Sequence, residues 1–332
     1  MGRDERGDLS DAEWERLRPF LPVSNGRCGR WRDRRQVIDA ILHRVRTGVH
    51  WRDLPERFGP WKMVYECHRL WSADGTWERL LQQVQAAADA AGEIDWDIPV
   101  DSTIVSAHQH AAGVRTDPPP DLAISKGDEA GTPGRKSMAE PHRPTGGGGA
   151  GSEGLGRSRG GFTSKIHLSA DGCRPLSPIV PPGQRADCTQ FVPVLEKIRV
   201  PRLGLGRPRK KPGSVAADKA YSNGRRQYLR QRGIRHAISE KADSQASCLR
   251  KGSRCGRPPG FDDERYKKRN NVERAINKLK NFRAVATRYD KRGYVFLGTV
   301  TAAALGIWLR SSIGSGGAAR CPAKAQVPYP CP

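Results

Sequence analysis

Residues 8–91 carry apolar side chains at the spacing of α-helices. Ser10 and Glu13 form the capping-box pattern of a helix start, in which each side chain accepts a hydrogen bond from the other residue's backbone N–H. A second helix is predicted over Arg34–Thr47, and a third begins near Trp61. The pattern therefore predicts a small helical N-terminal domain.

The same region is rich in tryptophan, and two interpretations of it stay open. The rings can form a small aromatic core, or short helices with basic exposed faces can form a helix-turn-helix-like module that binds DNA. Periodicity alone does not identify a recognition helix. The tryptophans concerned are Trp31, Trp51, Trp61, Trp71 and Trp77.

The pattern changes after residue 92 to short runs with strand character. Strands are predicted within 93–105 and over 163–169, 175–180, 214–217 and 234–238, the second and third forming a hairpin. Helices are predicted over Asp187–Val200, Asn223–Gly233, Glu264–Phe282 and 295–310. This order predicts a mixed α/β domain over 93–310, with a small sheet flanked by helices.

Three segments lack a periodic pattern. Residues 107–161, with their proline and glycine runs, are predicted to form a flexible insertion. Residues 239–263 are polar and predicted to be a loop. The tail, 311–332, is rich in Gly, Ala and Pro and is predicted to be disordered.

The charge indicates a polyanionic partner. The 332 residues carry a net charge of +23, and residues 201–300 hold 27 Lys and Arg against 8 Asp and Glu, a net charge of +19. Nucleic acid and an anionic membrane surface both fit such a charge. The longest apolar run, Val295–Leu309, has 15 residues and is too short to span a bilayer, so it predicts a core helix.

Nothing at the N-terminus has the apolar stretch of a secretory signal. We therefore expect a cytoplasmic, nucleoid-associated protein without a membrane partner. In that compartment its eight cysteines are predicted to be reduced.

Three acidic residues stand out as candidates for chemistry. Asp101 and Asp218 lie in or at the ends of predicted strands, and Glu273 lies within the most basic predicted helix. Glu273 can simply pair with Arg269 one turn earlier. Alternatively, the three carboxylates converge on Mg²⁺, which prefers oxygen ligands and is commonly bound by a few carboxylates plus substrate phosphates.

The spacing around Glu273 favours the second interpretation. Tyr266, Arg269, Glu273 and Lys280 have offsets of 0, 3, 7 and 14, which share one face of a continuous helix. A carboxylate there can hold a metal ion while the phenol, guanidinium and ammonium contact flanking phosphates.

This helix resembles the signature helix of bacterial insertion-sequence DDE transposases, and the chain looks most like the insertion sequence type 5 group. The resemblance covers roughly residues 8–310. Further segments that resemble family motifs, in chain order, are 48–55 with 58–61, 101–113, 160–168 and 217–222.

The resemblance implies a catalytic domain of the ribonuclease H-like fold. Asp101 would lie on the first strand, Asp218 just after the fourth strand and Glu273 on a late helix. Together they would hold two Mg²⁺ ions, for which Mn²⁺ can substitute. Water would cut the DNA at the element's end, and the freed 3′-hydroxyl would then attack target DNA.

The resemblance also implies the partners. These are double-stranded DNA, as terminal inverted repeats and as target, and a second copy of the chain in a homodimer on DNA. Tyr266, Arg269 and Lys280 would position the transposon-end strand, and Lys165 would touch DNA. His108 and His110 form an HxH pair, for which we expect a structural or DNA-facing role rather than Mg²⁺ binding.

Two alternatives remain at this stage. The chain can be a non-catalytic DNA-binding relic or repressor derived from a transposase, since basic charge and N-terminal helices fit binding alone. It can also be another nuclease of the same fold, such as a Holliday-junction resolvase. The acidic residues favour an enzyme over the first alternative, and the N-terminal helices together with the signature helix disfavour the second.

Overall fold

The structure is a computed structural model that describes residues 8–22, 33–112, 153–221, 224–255 and 261–311. The predictions made for residues 113–152 and 312–332, the greater part of the insertion and of the tail, lie outside the described residues. The helices are α1 Asp11–Leu17, α2 Arg34–Thr47, α3 Trp61–Ala73, α4 Thr76–Ala90, α5 Gln109–Ala112, α6 Asp187–Glu196, α7 Arg225–Gln231, α8 Ala242–Lys251, α9 Asp263–Lys267, α10 Asn270–Lys280, α11 Arg283–Ala286 and α12 Gly293–Ser311. The strands are β1 Asp97–Ala107, β2 Gly156–Ser158, β3 Gly161–Asp171, β4 Arg174–Ile179, β5 Ser214–Ala217, β6 Arg235–Ile238 and β7 Thr287–Arg288.

The N-terminal helices begin and end where local signals place them. The Ser10 hydroxyl accepts from the Glu13 N–H and the Glu13 carboxylate accepts from the Ser10 N–H, so the capping box at α1 is confirmed. Helix α2 has the predicted bounds and ends at Gly48, whose φ of 72° lies in the left-handed region. Helix α4 was not predicted as a separate element.

The buried residues form one hydrophobic cluster that joins the N-terminal helices to the sheet. Its centre is α12, which packs against α2, α3, α4 and β4. Among the described residues, α12 is the one helix long and apolar enough to cross a membrane, yet 78% of its most apolar window is buried inside the protein. The prediction of a core helix is therefore confirmed.

Part of the tryptophan-rich region is core, as one of the two interpretations expected. Trp71 and Trp77 are buried with ring centroids 5.2 Å apart, while Trp51 and Trp61 pack against the edge of the core. Trp31 lies outside the described residues. The helix-turn-helix interpretation stays a prediction.

A buried histidine connects α3, α4 and α12. His68 is fully buried, its Nδ1 accepts from the Trp77 indole N–H at 3.1 Å, and its Nε2 lies 3.2 Å from the Thr299 hydroxyl. Burial lowers the pKa of His68 from 6.5 to about 4, and nearby Arg44 also lowers it, whereas Asp290 opposes the shift. The imidazole is therefore neutral in the folded protein at neutral pH.

This histidine predicts a loss of stability in acid. Because the pKa of His68 is about 4 in the folded chain and near 6.5 in the unfolded chain, the unfolded state binds more protons between these values. The free energy of unfolding should fall as pH drops from about 6.5 to 4, by about 3 kcal/mol from this residue. Urea denaturation at several pH values measures it. His68→Gln should flatten the slope and exposed His50→Gln should not; equal slopes in all three proteins would contradict the assignment.

The sheet combines antiparallel and parallel pairs. Its order is β2-β3-β1-β5-β6, with β4 also paired to β3 and β7 to β1. The pairs of β3 with β1, β2 and β4 are antiparallel, and those of β5 with β1 and β6 are parallel. The predicted hairpin is β3–β4, and the predicted mixed α/β class with a helical N-terminus is confirmed.

The predicted helix Glu264–Phe282 is wrong, because two helices occupy this stretch. Helix α9 ends at Lys267, and α10 begins at Asn270 after a tight turn with hydrogen bonds between residues three apart. No Gly or Pro marks the break in the sequence. The side chains of Lys268 and Arg269 instead reach the acidic residues of β1, which is a tertiary contact that periodicity does not report.

Other sequence predictions also need correction. The predicted loop 239–263 contains helix α8. None of its residues is buried, so the sequence has no apolar stripe that would indicate a helix. The described ends of the predicted insertion 107–161 contain α5 and β2. Cys248 is disulfide-bonded, so the prediction that all cysteines are reduced is wrong for it, whereas Cys67 and Cys188 are free thiols.

Candidate active site

Two of the candidate carboxylates are brought together by the parallel pairing of β1 with β5. The last paired residues are Val100 and Ala217, and the residues that follow them are Asp101 and Asp218. Neighbouring strands lie about 4.8 Å apart, so Asp101, still within β1, lies beside Asp218 at the point where β5 ends. All four residues of the run Ser214–Ala217 are buried, so β5 lies in the interior of the sheet.

Asp101 sits in an environment that disfavours its charge. Its side chain is 20% exposed, and one carboxylate oxygen accepts from the Ser102 N–H at 2.8 Å. Burial raises the pKa of Asp101; the Ser102 hydrogen bond and Arg269 oppose the shift, and the negative charges of Glu273 and Asp218 add to it. Glu273 and Asp218 therefore both lie near enough to Asp101 to act on its charge.

Arg269 lies between two of these carboxylates. One guanidinium nitrogen is 3.3 Å from the Asp101 Oδ2, and the other is 2.6 Å from the Glu273 Oε1. The ion pair of Glu273 with Arg269, one of the two alternatives from the sequence, is thus present, and the pair extends to Asp101. Glu273 is the acidic residue of the first turn of α10, and its side chain is 48% exposed.

The donor set is suited to a hard divalent cation, although the carboxylates are not arranged as a closed site. Among the described residues, no group of three or more His, Cys, Asp or Glu side chains is close enough to hold a metal ion. A guanidinium cation instead compensates Asp101 and Glu273. Carboxylate oxygens around a positive charge are the ligands Mg²⁺ and Mn²⁺ prefer. The chemistry of these residues suits such an ion, and in this structure Arg269 occupies the space between Asp101 and Glu273.

This arrangement predicts that Arg269 competes with divalent metal. Arg269→Gln should leave Asp101 and Glu273 without a compensating cation, so Mg²⁺ or Mn²⁺ should raise the melting temperature of the DNA-free variant more than that of the wild type. Differential scanning fluorimetry with a metal titration measures the shift. Arg265→Gln, in the preceding helix, is the matched control. An identical metal response in all three proteins would show that Arg269 does not occupy a cation site.

The other predicted site residues lie at different distances from this cluster. The Arg269 guanidinium carbon is 5.9 Å from the Tyr266 ring, so these two side chains still share a face across the break between α9 and α10. Lys280 is half-buried at the far end of α10, two turns beyond Glu273. The single continuous helix expected from the sequence is therefore interrupted between Lys267 and Asn270, although Tyr266 and Arg269 still lie side by side.

Lys165 is engaged inside the protein. Its ammonium lies 2.9 Å from both the Asp187 carboxylate and the Arg185 carbonyl, and its side chain is 13% exposed. His108 and His110 stack on each other at 4.6 Å, and His108 also stacks on Tyr289 at 4.7 Å. The His108 Nδ1 accepts from the His110 N–H.

Sequence reasoning missed the ion pairs that fix the segment carrying Arg269 against β1. Lys268 bridges Asp95 at 3.2 Å and Asp97 at 2.7 Å, which fixes the α9–α10 turn against the start of β1. Burial acts to raise the pKa of Asp97, but hydrogen bonds from Lys268 and Ser214 hold it below its usual range. Two aspartates near the start of a strand do not by themselves indicate a lysine that bridges them.

Sequence reasoning also missed a buried tyrosine beside the candidate carboxylates. Tyr221, in the turn after Asp218, is buried, bonds the Ser102 side chain and lies 3.4 Å from the Nδ1 of buried His167. Burial and the charge of Asp187 raise the pKa of Tyr221, so it stays a neutral phenol. It therefore packs the turn that carries Asp218 against β3.

A basic chain with carboxylates gathered at one sheet edge is the arrangement expected of an enzyme that acts on nucleic acid. Protein-family models match two stretches of the chain: "Putative transposase of IS4/5 family" over residues 9–81 and "Transposase DDE domain" over residues 94–305. The second match covers more than half of the chain, and the chain belongs to the transposase DDE domain family. Domains of this family generally use divalent metals.

Individual relatives agree with the family. The chain is 29% identical over 150 residues to the "Putative transposase for insertion sequence element IS6501" of Brucella ovis, covering 45% of this chain and 100% of that protein. It is 34% identical over 107 residues to an "Insertion element IS402 uncharacterized 16.2 kDa protein" of Burkholderia cepacia, covering 30% and 73%. It is 41% identical over 108 residues to the uncharacterized protein y4sN of Sinorhizobium fredii, covering 32% and 82%. No solved structure matches the chain.

Proposed function

We propose that the chain is the transposase of an insertion sequence, which binds the terminal inverted repeats of its element and catalyses metal-dependent DNA cleavage and strand transfer. The observation that carries the proposal is geometric: Asp101 lies beside Asp218 through the β1–β5 pairing and shares Arg269 with Glu273, in a strongly basic chain. A protein that only binds DNA does not need neighbouring acidic residues within its basic surface, since each repels phosphate.

The proposed fold is ribonuclease H-like. Asp101 lies on the first strand, and Asp218 follows β5, which is the fourth strand of the chain when the three-residue β2 is left aside. The proposed division is a helical domain over 8–91, a catalytic domain over 93–310 and a tail over 311–332. The family matches over 9–81 and 94–305 support the division of the first two.

Asp101, Asp218 and Glu273 are the proposed ligands of two Mg²⁺ ions, with Mn²⁺ as a substitute. Such ions, when bound, stabilise charge on phosphate oxygens and lower the pKa of bound water. The chain supplies the rest. The β1–β5 register holds two carboxylates rigidly at one sheet edge, and α10 presents the third from its first turn, where the helix dipole favours a negative charge.

Arg269 is the proposed contact to the transposon-end strand, together with Tyr266 and Lys280. In the DNA-free structure the Arg269 guanidinium is bound by Asp101 and Glu273. We infer that it turns to a phosphate when metal compensates these carboxylates, since an arginine can pair with a phosphate through two parallel hydrogen bonds. Lys165 would contact DNA only by breaking its ion pair with Asp187.

The proposed partners follow from the reaction. Terminal inverted repeats and target DNA are both double-stranded, and bringing two element ends together calls for a homodimer on DNA. The reaction takes place where the chromosome is, so we expect the protein at the nucleoid in the cytoplasm. The net charge of +19 in residues 201–300 supports tight, salt-dependent binding to DNA.

Cleavage of a labelled duplex that carries the element's own terminal repeat tests the proposal. Mg²⁺ or Mn²⁺ should be required, and a gel shift without metal should show binding to the same duplex. Binding without cleavage in either metal would leave the alternative function, a DNA-binding relic or repressor. Cleavage of four-way junctions in preference to the repeat would favour a resolvase instead.

A further inference from the structure

A cavity lies apart from the carboxylates, where the N-terminal helices meet the segment between β7 and α12. Its volume is about 870 Å³. His110, on its wall, follows the far end of β1, nine residues after Asp101. Ala107, the last residue of β1, is six strand steps from Asp101, so at about 3.3 Å per step the cavity begins roughly 20 Å from Asp101. The proposed chemistry at the sheet edge does not use it.

The walls of the cavity are aromatic. Trp51, Trp61 and Tyr65 of the N-terminal region line it, together with His110 and Tyr289 from either end of the sheet region of the chain. Trp51 and Tyr65 meet edge to face at 5.5 Å. Aromatic rings in a cavity are suited to a flat, apolar group, and bases of nucleic acid stack on such rings whatever their sequence.

The cavity is also cationic, with Arg44, Arg52, Lys291 and Arg292 against Asp53 and Asp290. Arg292 is already paired with Glu153 at 3.2 Å. Within the described residues, no ion pair involves the side chains of Arg52 or Lys291. The Arg52 and Lys291 side chains are therefore available to pair with a negatively charged ligand in the cavity.

Arg44 gives an independent indication of a ligand. Its side chain is 5% exposed and pairs through one nitrogen with Asp290 at 3.3 Å, while its guanidinium carbon lies 4.8 Å from the Trp51 ring centre. Its Nε and its other terminal nitrogen are buried without a hydrogen-bond partner among the described residues. Buried donors without acceptors are costly, and an acceptor on a ligand in the cavity would satisfy them.

We propose that this cavity binds one unpaired nucleotide of a DNA strand. The rings stack on its base, Arg44 donates to an acceptor at the floor, and Arg52 and Lys291 contact its phosphates. The inference rests on the proposed function, because it takes DNA as the partner. At about 3.4 Å per step, 20 Å corresponds to some six base-pair steps between this nucleotide and the carboxylates.

The test compares two duplexes of one sequence, one fully paired and one with a single extrahelical 2-aminopurine, in EDTA so that nothing is cleaved. Wild type should bind the bulged duplex about tenfold more tightly, and the 2-aminopurine fluorescence should fall as the base stacks on the rings. Arg52→Gln and Tyr289→Leu should each reduce this preference severalfold. Arg230→Gln, an exposed change on α7, is the matched control and should retain it.

Equal wild-type affinity for the two duplexes, or a preference unchanged in both cavity variants, would overturn the proposal. Arg52 is exposed, so its substitution keeps the test valid if Tyr289→Leu fails to fold. The outcome is independent of catalysis. A wild-type protein that cuts terminal repeats but shows no preference for the bulge would refute the cavity assignment and leave the transposase proposal standing.

Discussion

Asp101→Asn is expected to reduce DNA strand cleavage by more than a hundredfold while leaving DNA binding and folding intact. Loss of an outer contact to a bound metal already costs about 10–100-fold, and a direct ligand should cost more. The remaining Asn oxygen can still accept from the Ser102 N–H, so the local backbone keeps its hydrogen bond. Cleavage of a labelled terminal-repeat duplex in Mg²⁺ measures the loss, with a gel shift on the same duplex.

The same variant should be at least as stable as the wild type without metal. Because the pKa of Asp101 is raised in the folded protein, the unfolded chain gives up this proton more readily, and ionisation at neutral pH costs stability. Asparagine carries no such charge. The melting temperature should therefore stay level or rise, although one contact to Arg269 is lost.

Glu273→Gln should lose cleavage in the same way. Asp263→Asn and Glu264→Gln, which are exposed changes on α9, are the matched controls and should cleave as the wild type does. Full cleavage by either Asp101→Asn or Glu273→Gln would remove that residue from the proposed site. Cleavage lost together with DNA binding would point to misfolding, which circular dichroism would reveal.

The largest expected effect on stability belongs to Arg288→Met. Arg288 is fully buried in β7, and its guanidinium donates to the carbonyls of Asp290, Gly154 and Lys291 and to the Ser164 hydroxyl. Methionine would remove these four donated hydrogen bonds, and the Gly154 carbonyl would keep only the Ser164 hydroxyl as a donor. Loss of one partner from a buried charged network typically costs about 3–5 kcal/mol. We therefore expect a melting temperature lower by about 10 °C, measured by scanning calorimetry.

Arg283→Met, an exposed change on α11, is the control and should shift the melting temperature by less than a degree or two. Burial lowers the pKa of Arg288 to about 10, which is still high enough to keep the guanidinium charged at neutral pH. If Arg288→Met melts at the same temperature as the wild type, the Arg288 hydrogen bonds do not stabilise the contact between Gly154 and β7.

Local patterns were sufficient for several elements. The capping box of α1 was predicted because it depends on contacts within a few residues of sequence, and the strand Ser214–Ala217 because its short apolar run is fully buried. Helix α2, stopped by Gly48, is a third example. Helix α8 was missed because it buries nothing, and the break between α9 and α10 was missed because side-chain contacts to β1 cause it.

The sequence by itself determined the chemistry available to this protein: a strongly basic chain, three acidic residues at named positions and the family to which it belongs. Only the tertiary structure decided how these parts meet. The β1–β5 register sets Asp101 beside Asp218, and Arg269, expected to face DNA, lies instead between Asp101 and Glu273. Likewise, the aromatic cavity joins Trp51 to Tyr289, which are far apart in sequence. The physical reason is that periodicity encodes which face of an element is buried, whereas contacts between distant side chains depend on how the elements pack.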